Sequence, residues 1–193
     1  MCSRFEIDAP PGDIAERFGL ADPPPVPNAP ELRPTDLGLI IGDRAEPHLL
    51  SWGLTVEWDA KPLINARAET LTKKKTFRPL LESRCLVPAT AYFEWRKEGK
   101  ARHKNRIWAG GIFSFAGLMD GERFTIITCP PVAAIAHIHD RMPVILERKA
   151  EPLWTDPALP FDKVAGLLVP FCAEELRAEE ETPPPAPQPD LFC

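Results

Sequence analysis

The sequence lacks several patterns by which common classes of protein are recognised. It has no apolar run that approaches the ~18 residues of a membrane-spanning helix. Its first residues include Arg4, Glu6 and Asp8 and no apolar segment, so they do not form a secretory signal peptide. These absences predict a cytoplasmic protein that has no membrane partner.

Cysteine is scarce and scattered along the chain. The five cysteines are Cys2, Cys85, Cys129, Cys172 and Cys193, and no two of them form a CxxC pair. An odd number of widely spaced cysteines supports neither a disulfide framework nor a zinc site. A glycine-rich phosphate loop, HExxH and GxSxG are also missing, which removes the usual signals for nucleotide hydrolysis, zinc proteolysis and serine hydrolysis.

An excess of one charge sign occurs only at the C-terminal end. The net charge is −5, and residues 174–193, with six acidic residues against Arg177, account for all of it. Residues 1–173 are therefore neutral, but their basic residues cluster at 73–78 and 96–106. Such clusters neutralise phosphates in nucleic-acid-binding proteins, although solvated loop charges produce the same pattern.

Hydrophobic patterning predicts many short strands and a few short helices. We expect strands at 37–41, 48–54, 85–87, 91–95, 107–118, 123–129, 144–146 and 164–169, and helices at 13–20, 73–81, 131–136 and 150–154. The basic stretch 96–106 is expected in a hairpin loop. This pattern indicates a single α+β domain at 1–173 with a curved, largely antiparallel β-sheet. Residues 174–193, acidic and then proline-rich, are predicted to be a disordered tail.

The N-terminal stretch Met1-Cys2-Ser3-Arg4-Phe5 becomes chemically unusual once the initiator methionine is removed. Met1 is removed from chains whose second side chain is small, which leaves Cys2 with a free α-amine beside its thiol. The amine titrates near ~7.7–8.0 and the thiol near ~8.5, so both have nucleophilic forms at neutral pH. Considered alone, this stretch favours the simpler interpretation that Cys2 is an ordinary residue of a frayed terminus.

Four further stretches carry candidate chemistry, and one of them, residues 125–128, ends a strand in the hydroxyl of Thr128. Asn65 offers an amide that orients a reacting group, and Arg67 offers a fork of donors for a phosphate. Glu94 lies among aromatic residues, where desolvation raises the pKa of a carboxyl toward that of a general acid. His139 is a candidate proton carrier. The alternatives are an ion pair between Glu94 and the basic residues that follow it, and a structural role for His139.

Taken together, these stretches resemble the SOS response-associated peptidase (SRAP) family of abasic-site processing proteins. The resemblance covers roughly residues 2–170. The matching segments, in the family's order, are Met1-Cys2-Ser3-Arg4-Phe5, Asn28-Ala29-Pro30, Trp52-Gly53-Leu54, residues 64–70, residues 84–89, Phe93-Glu94-Trp95, residues 115–118, residues 125–128 and residues 139–143. The resemblance implies a barrel-like core with short flanking helices.

The resemblance also implies a covalent mechanism and its residues. Cys2 matches the residue that bonds to the ring-opened aldehyde of an abasic site in single-stranded DNA, first as a Schiff base and then as a thiazolidine. Glu94 matches the carboxylate that shuttles protons, His139 the histidine that assists proton transfer and cross-link reversal, and Asn65 the amide that positions the sugar. The family removes its own Met1. No metal or organic cofactor is implied, because the aldehyde supplies the electrophile.

Binding residues follow from the same resemblance. The positions that match phosphate contacts are Arg4, Arg67, Thr128 and Arg141, with Lys75 and Trp58 as weaker candidates. The chain departs from the family at three places: Ser3 replaces the usual glycine, the usual proline after Trp52-Gly53-Leu54 is replaced around Thr55-Val56, and Glu57 replaces one of two adjacent tryptophans. The implied protein is a nucleoid-associated monomer that acts on single-stranded DNA.

The C-terminal tail carries a separate resemblance. Its last residues, Gln188-Pro189-Asp190-Leu191-Phe192, are similar to the short peptide by which bacterial repair and replication proteins bind the polymerase sliding clamp. A Leu-Phe pair on a solvated tether suits a pocket on a partner. Gln188, Leu191 and Phe192 are the expected contacts, although a chance match of five residues gives the same pattern.

Two other functions remain open from the sequence. One is an amidohydrolase with an N-terminal cysteine nucleophile, which would hydrolyse small amides and ignore abasic DNA. The other is a non-catalytic module for single-stranded DNA, in which Cys2→Ala would change nothing. Cross-linking to abasic DNA that depends on Cys2 therefore separates the implied function from both alternatives.

Overall fold

A closed barrel forms the centre of the molecule in this computed structural model, which describes residues 2–27, 31–171 and 174–181. The strands are β1 Arg4–Glu6, β2 Leu37–Ile41, β3 Pro47–Trp52, β4 Leu54–Val56, β5 Asp59–Leu63, β6 Asn65–Arg67, β7 Arg84–Ala89, β8 Ala91–Glu98, β9 Ala101–Trp108, β10 Phe113–Met119, β11 Arg123–Cys129, β12 Met142–Pro143, β13 Ile145–Leu146 and β14 Arg177–Glu180. The helices are α1 Pro11–Phe18, α2 Glu151–Thr155 and α3 Phe161–Val164.

The barrel closes through five strands in the order β11, β3, β2, β7 and β10, because β10 also pairs with β11. Strands β6, β12 and β13 extend this sheet at its margins. Pairing within the sheet is antiparallel except where β11 runs parallel to β3 and β6. The α+β class, the largely antiparallel sheet and the barrel-like core are therefore confirmed.

The N-terminal strand is anchored to the barrel by an aromatic contact. The Phe5 ring is fully buried and meets Trp52 edge-on at 5.0 Å and Phe115 at 5.9 Å between ring centroids. Burying one such side chain contributes about 1.5–3 kcal/mol, before the gain from ring geometry. This contact fixes the position of the residues immediately before β1, including Cys2.

A second sheet lies beside the barrel, with strand order β1, β8, β9 and β14. Strands β8 and β9 form a long hairpin that turns at Gly99, whose φ of 57° lies in the left-handed region that glycine adopts without strain. Strand β1 pairs with one edge of this hairpin and β14 with the other.

Several predictions of local structure are wrong. Residues 101–106 form part of β9 rather than a hairpin loop, because both faces of this strand bind side chains of opposite charge. Residues 164–169 contain the end of α3 and a 3-10 turn rather than a strand. Residues 131–136 form turns, and of the helix expected at 73–81 only a 3-10 turn at Arg78–Leu80 is present.

The prediction of a structureless tail from residue 174 is wrong for Arg177–Glu180, which form β14 against β9. The proposed boundary at 173 therefore falls inside the folded part of the chain. The remainder of the tail, including Gln188, Leu191 and Phe192, lies outside the described residues. In the part of the chain that is described, no helix has the length and apolarity needed to cross a membrane.

Candidate active site

Four predicted residues from distant parts of the chain lie together beside the barrel. Cys2 precedes β1, Glu94 lies in β8, Asn65 begins β6 and His139 lies in the loop before β12. Asn65 is hydrogen-bonded to Cys2, and His139 faces Glu94. The pairing of β1 with β8 and of β6 with β11 brings these residues to one place.

The Cys2 side chain is completely buried. Its Sγ lies 3.5 Å from the carbonyl oxygen of Arg4. Burial raises the pKa of the Cys2 thiol far above its ordinary value, and the negative charge of Glu94 raises it further. The thiol is therefore held in its neutral form in the chain that still carries Met1.

Asn65 holds the backbone of Cys2 in place. Its Nδ2 donates a hydrogen bond of 2.7 Å to the carbonyl oxygen of Cys2. Its Oδ1 is buried and, among the described residues, has no hydrogen-bond partner. A buried acceptor without a donor costs about 1–3 kcal/mol, so this oxygen is suited to receive a donor from a bound molecule.

Glu94 is a buried carboxyl, only 2 % exposed. Burial raises the pKa of Glu94 to about 7, and the negative charge of Asp140 adds to the rise. The alternative ion pair with nearby basic residues is not formed by Arg96, whose guanidinium binds Glu98 and Glu180. A carboxyl that titrates near neutral pH both donates and accepts protons under physiological conditions.

His139 has a partner for each of its protonation states. Its Nε2 lies 3.8 Å from Oε2 of Glu94. Its Nδ1 lies 3.0 Å from the backbone nitrogen of Arg141 and 2.8 Å from Oδ1 of Asp140. Neutral Nδ1 accepts from the Arg141 N–H, whereas protonated Nδ1 donates to Asp140. Burial lowers the pKa of His139, and the imidazole is therefore suited to pass a proton on.

Three predicted phosphate contacts lie along the β6–β11 margin. Arg67 is exposed and pairs in register with Thr128, whose side chain is fully buried. Arg141 donates to both carboxylate oxygens of Glu69, at 2.5 and 2.9 Å, and to the carbonyl oxygen of Thr128 at 2.6 Å. Glu69 therefore neutralises Arg141 in this structure.

Arg4 lies on the other face of β8 from Glu94, because it pairs with Phe93. Its guanidinium is 5.5 Å from the centroid of the Trp95 ring and donates to Glu31 at 3.1 Å. Lys104 also binds Glu31. The sequence does not reveal Glu31, because no local pattern marks it. The two cations that it binds, Arg4 and Lys104, do lie in stretches that the sequence marks as candidates.

The two weaker candidates are exposed. Trp58 lies in the turn between β4 and β5 with 71 % of its surface accessible. Lys75 is exposed in the turns between β6 and β7. Ser3, the departure nearest to the site, is partly buried. No group of three or more His, Cys, Asp or Glu within the described ranges is placed to hold a metal ion.

Fold and site together define a class of protein: a small β-barrel domain with a buried cysteine near the chain start, next to a carboxyl–imidazole pair. The chain belongs to the SOS response associated peptidase (SRAP) family, whose family profile matches residues 1–181. This match confirms the resemblance found in the sequence, and it extends through β14.

Relatives and solved structures agree with this assignment. The chain is 35 % identical to the abasic site processing protein YoqW of Bacillus subtilis, with 92 % of this chain and 91 % of the relative covered. It is 32 % identical to the abasic site processing protein YedK of Escherichia coli, covering 80 % and 79 % of the two chains. A crystal structure of a Bacteroides thetaiotaomicron protein superposes with a TM-score of 0.81 at 29 % identity, covering 93 % of this chain and 91 % of that chain.

Proposed function

We propose that this protein captures abasic sites in single-stranded DNA through a covalent bond to Cys2, after Met1 has been removed. The observation that carries the proposal is the joint placement of Cys2, Asn65, Glu94 and His139. The names of the relatives, which are abasic site processing proteins, support the same substrate. The proposal needs no cofactor, because the aldehyde of the opened sugar is the electrophile.

The first step releases the α-amine of Cys2. The family name includes peptidase, and we propose that the chain hydrolyses its own Met1–Cys2 bond with the help of Glu94 and the Cys2 thiol. The neutral thiol gives up its proton to the Glu94 carboxylate as sulfur attacks the Met1 carbonyl carbon. The Met1–Cys2 C–N bond then breaks, and Glu94 returns the proton to the leaving α-amine. Water hydrolyses the resulting thioester, which releases methionine and restores the Cys2 thiol. A Glu94 pKa of about 7 matches this task, because the carboxyl both accepts and returns the proton.

The second step joins the protein to the DNA. The α-amine attacks the aldehyde carbon to give a carbinolamine, which loses water to form an imine. Glu94 protonates the departing hydroxyl. The thiol then adds across the imine: sulfur bonds to carbon, and the thiol proton passes to nitrogen, which closes a thiazolidine. Asn65 holds the carbonyl of Cys2 during both bond formations.

Reversal uses the same groups in the opposite order. His139, whose Nε2 lies 3.8 Å from Oε2 of Glu94, supplies a proton to the ring sulfur as the carbon–sulfur bond breaks and the nitrogen lone pair forms the protonated imine. Water then hydrolyses the imine and restores the amine and the aldehyde. His139 is suited to this role because its Nδ1 has a hydrogen-bond partner in each protonation state.

The proposed DNA path runs along the β6–β11 margin beside this site. Arg67, Thr128 and Arg141 lie along one margin, with Lys75 and Trp58 as outlying contacts for phosphate and base. Arg4 joins the path when a phosphate replaces Glu31. We propose that the protein works as a monomer in the cytoplasm, on nucleoid DNA.

The decisive experiment mixes the Met1-processed protein with single-stranded DNA that bears one abasic site, followed by a denaturing gel. A shifted band is expected for the wild type and for Cys85→Ala, which removes another buried thiol. The band should disappear in Cys2→Ala and form more slowly in Glu94→Gln without loss of DNA binding. No shift with fully processed wild type refutes the proposal, and an unchanged rate in Glu94→Gln removes Glu94 from the mechanism.

We further propose that the C-terminal peptide around Gln188, Leu191 and Phe192 recruits the protein to the sliding clamp. Support comes from the sequence, in which a Leu-Phe pair follows a proline-rich tether. The full chain should be retained by immobilised clamp, and Leu191→Ala with Phe192→Ala should abolish retention. Equal retention of wild type and double variant refutes this role.

A further inference from the structure

The acidic strand β14 covers the basic β8–β9 hairpin at its outer edge. Glu180 pairs in register with Asn105, which in turn pairs with Glu94. Side chains of directly opposed residues lie on the same face of a sheet, so Glu180 is on the face that carries Glu94. Glu179, one residue earlier, lies on the opposite face.

Two basic side chains continue this face beyond Glu94. Arg96 lies two residues further along β8, roughly 7 Å away at the usual rise of a strand. His103 is the residue paired with Arg96. Arg96 and His103 therefore lie where the backbone of a DNA strand would pass if the reacting sugar of that strand lay at Glu94.

Glu180 binds both of these side chains. Its carboxylate accepts from Nη2 of Arg96 at 2.8 Å and lies 2.7 Å from Nδ1 of His103. Glu98, at the end of β8, binds the other terminal nitrogen of Arg96, Nη1, at 2.7 Å and lies 3.6 Å from Nε2 of His103. Two oxygens that share one negative charge, placed between a guanidinium and an imidazole, reproduce what a phosphate offers.

The strand that presents Glu180 lies at the edge of its sheet and buries none of its own side chains. All four residues of β14 are exposed. The side chains of Arg96, His103 and Glu180 are 28 %, 31 % and 40 % exposed, and ion pairs of this kind contribute only about 0–1 kcal/mol. A polyanion that makes several phosphate contacts at once can therefore replace Glu180.

We propose that Arg96 and His103 form a phosphate site next to the reacting sugar, and that Glu180 of β14 is an internal competitor that fills this site until DNA displaces it. The inference rests on the proposed function for the identity of the strand and for its direction past Glu94. The acidic strand β14 would then have a regulatory role. While Glu180 fills the site, the protein binds less tightly to DNA that contacts it only at this end of the hairpin.

The test measures binding of the full chain to a fluorescent single-stranded oligonucleotide without an abasic site, by anisotropy at low ionic strength. Glu180→Gln is expected to bind roughly two- to fivefold tighter, the fold-change that corresponds to losing one exposed ion pair. The matched control is Glu179→Gln, which changes the net charge equally on the same strand but faces the other way. It should bind like the wild type.

A double variant locates the effect. Arg96→Gln should weaken binding, and adding Glu180→Gln to it should give a smaller gain than in the wild type, because one of the two basic side chains that Glu180 blocks is gone. Equal gains in Glu179→Gln and Glu180→Gln, or a full gain in the Arg96→Gln background, overturn the inference. The oligonucleotide has no aldehyde, so this experiment tests only the phosphate site. The proposed covalent capture is tested separately by the cross-linking gel with abasic DNA.

Discussion

The amide nitrogen of Asn65 donates a 2.7 Å hydrogen bond to the carbonyl oxygen of Cys2. This bond joins the start of the chain to β6, which is itself paired with barrel strand β11. A terminal residue is ordinarily among the most mobile parts of a protein. Here it is tied through Asn65 to the sheet that forms the barrel, which suits the proposed nucleophilic attack at a defined carbon.

Replacing the donor tests this attachment. Asn65→Asp keeps the size of the side chain but puts a carboxylate oxygen against the Cys2 carbonyl. We expect the rate of cross-linking to abasic DNA to fall roughly 5- to 150-fold, which corresponds to the ~1–3 kcal/mol of a lost buried hydrogen bond. Quench-flow sampling on denaturing gels measures the rate. Binding of undamaged DNA should stay unchanged, and a wild-type cross-linking rate would show that Asn65 does not position Cys2.

Glu94 should make folding stability fall as pH rises. Its folded pKa of about 7 lies above the ordinary value of 4.5, so between these values the native state holds a proton that the unfolded state has lost. The free energy of unfolding therefore decreases across this window, by about 3 kcal/mol if Glu94 acts alone. Denaturant titrations of wild type and Glu94→Gln at pH 4.5 to 8 isolate the contribution of Glu94 to the free energy of unfolding. The difference between them should change by this amount, and a constant difference would contradict the raised pKa.

The sequence predicted the class of fold because short runs of apolar and β-branched residues between turn signals mark strands such as β2 and β11. It failed at β9, where polar residues occupy both faces. That strand is stabilised by Glu31 on one face and Glu180 on the other, and no local pattern reveals partners so distant along the chain. The apolar run at 164–169 was assigned to a strand because short apolar runs do not distinguish strand from helix.

The candidate site was predictable residue by residue but not as a set of contacts. Cys2, Asn65, Glu94 and His139 each carried a chemical reason visible in the sequence. That Glu69 neutralises Arg141, and Glu31 neutralises Arg4, follows only from the tertiary structure. The sequence therefore predicts which groups are present, whereas the structure shows which of the proposed phosphate contacts are already paired with a carboxylate.

The ion pair between Arg141 and Glu69 should respond unequally to mutation of its two sides. The Arg141 side chain is 11 % exposed and also donates to the Thr128 carbonyl at 2.6 Å, whereas Glu69 is 46 % exposed. Arg141→Gln should therefore cost about 1–3 kcal/mol of unfolding free energy, and Glu69→Gln less than about 1 kcal/mol. Chemical denaturation at pH 7 measures both, and equal costs would show that the Thr128 contact contributes nothing.

Acid titration gives the same pair a second test. The hydrogen bonds from Arg141 lower the pKa of Glu69 below its ordinary value of 4.5. The resulting stabilisation is fully present above 4.5 and is lost as pH falls through the lowered pKa. The difference in unfolding free energy between wild type and Glu69→Gln should therefore shrink on acidification. A difference that does not change below pH 4.5 would contradict the lowered pKa.

Close packing between β10 and β7 at Gly117 supplies the last prediction. A Cβ at this position would lie 2.8 Å from Sγ of Cys85 and 3.0 Å from Cγ2 of Val87, both buried barrel residues. Because the barrel is closed, neither strand can move away, and Gly117→Ala should destabilise the fold by about 1–3 kcal/mol. Gly12→Ala is the matched control, since a Cβ there meets nothing within 4 Å and the residue lies in helix α1. It should leave the melting temperature unchanged or raise it slightly. Thermal unfolding followed by circular dichroism compares the two, and equal melting temperatures would show that the barrel accommodates the extra methyl group.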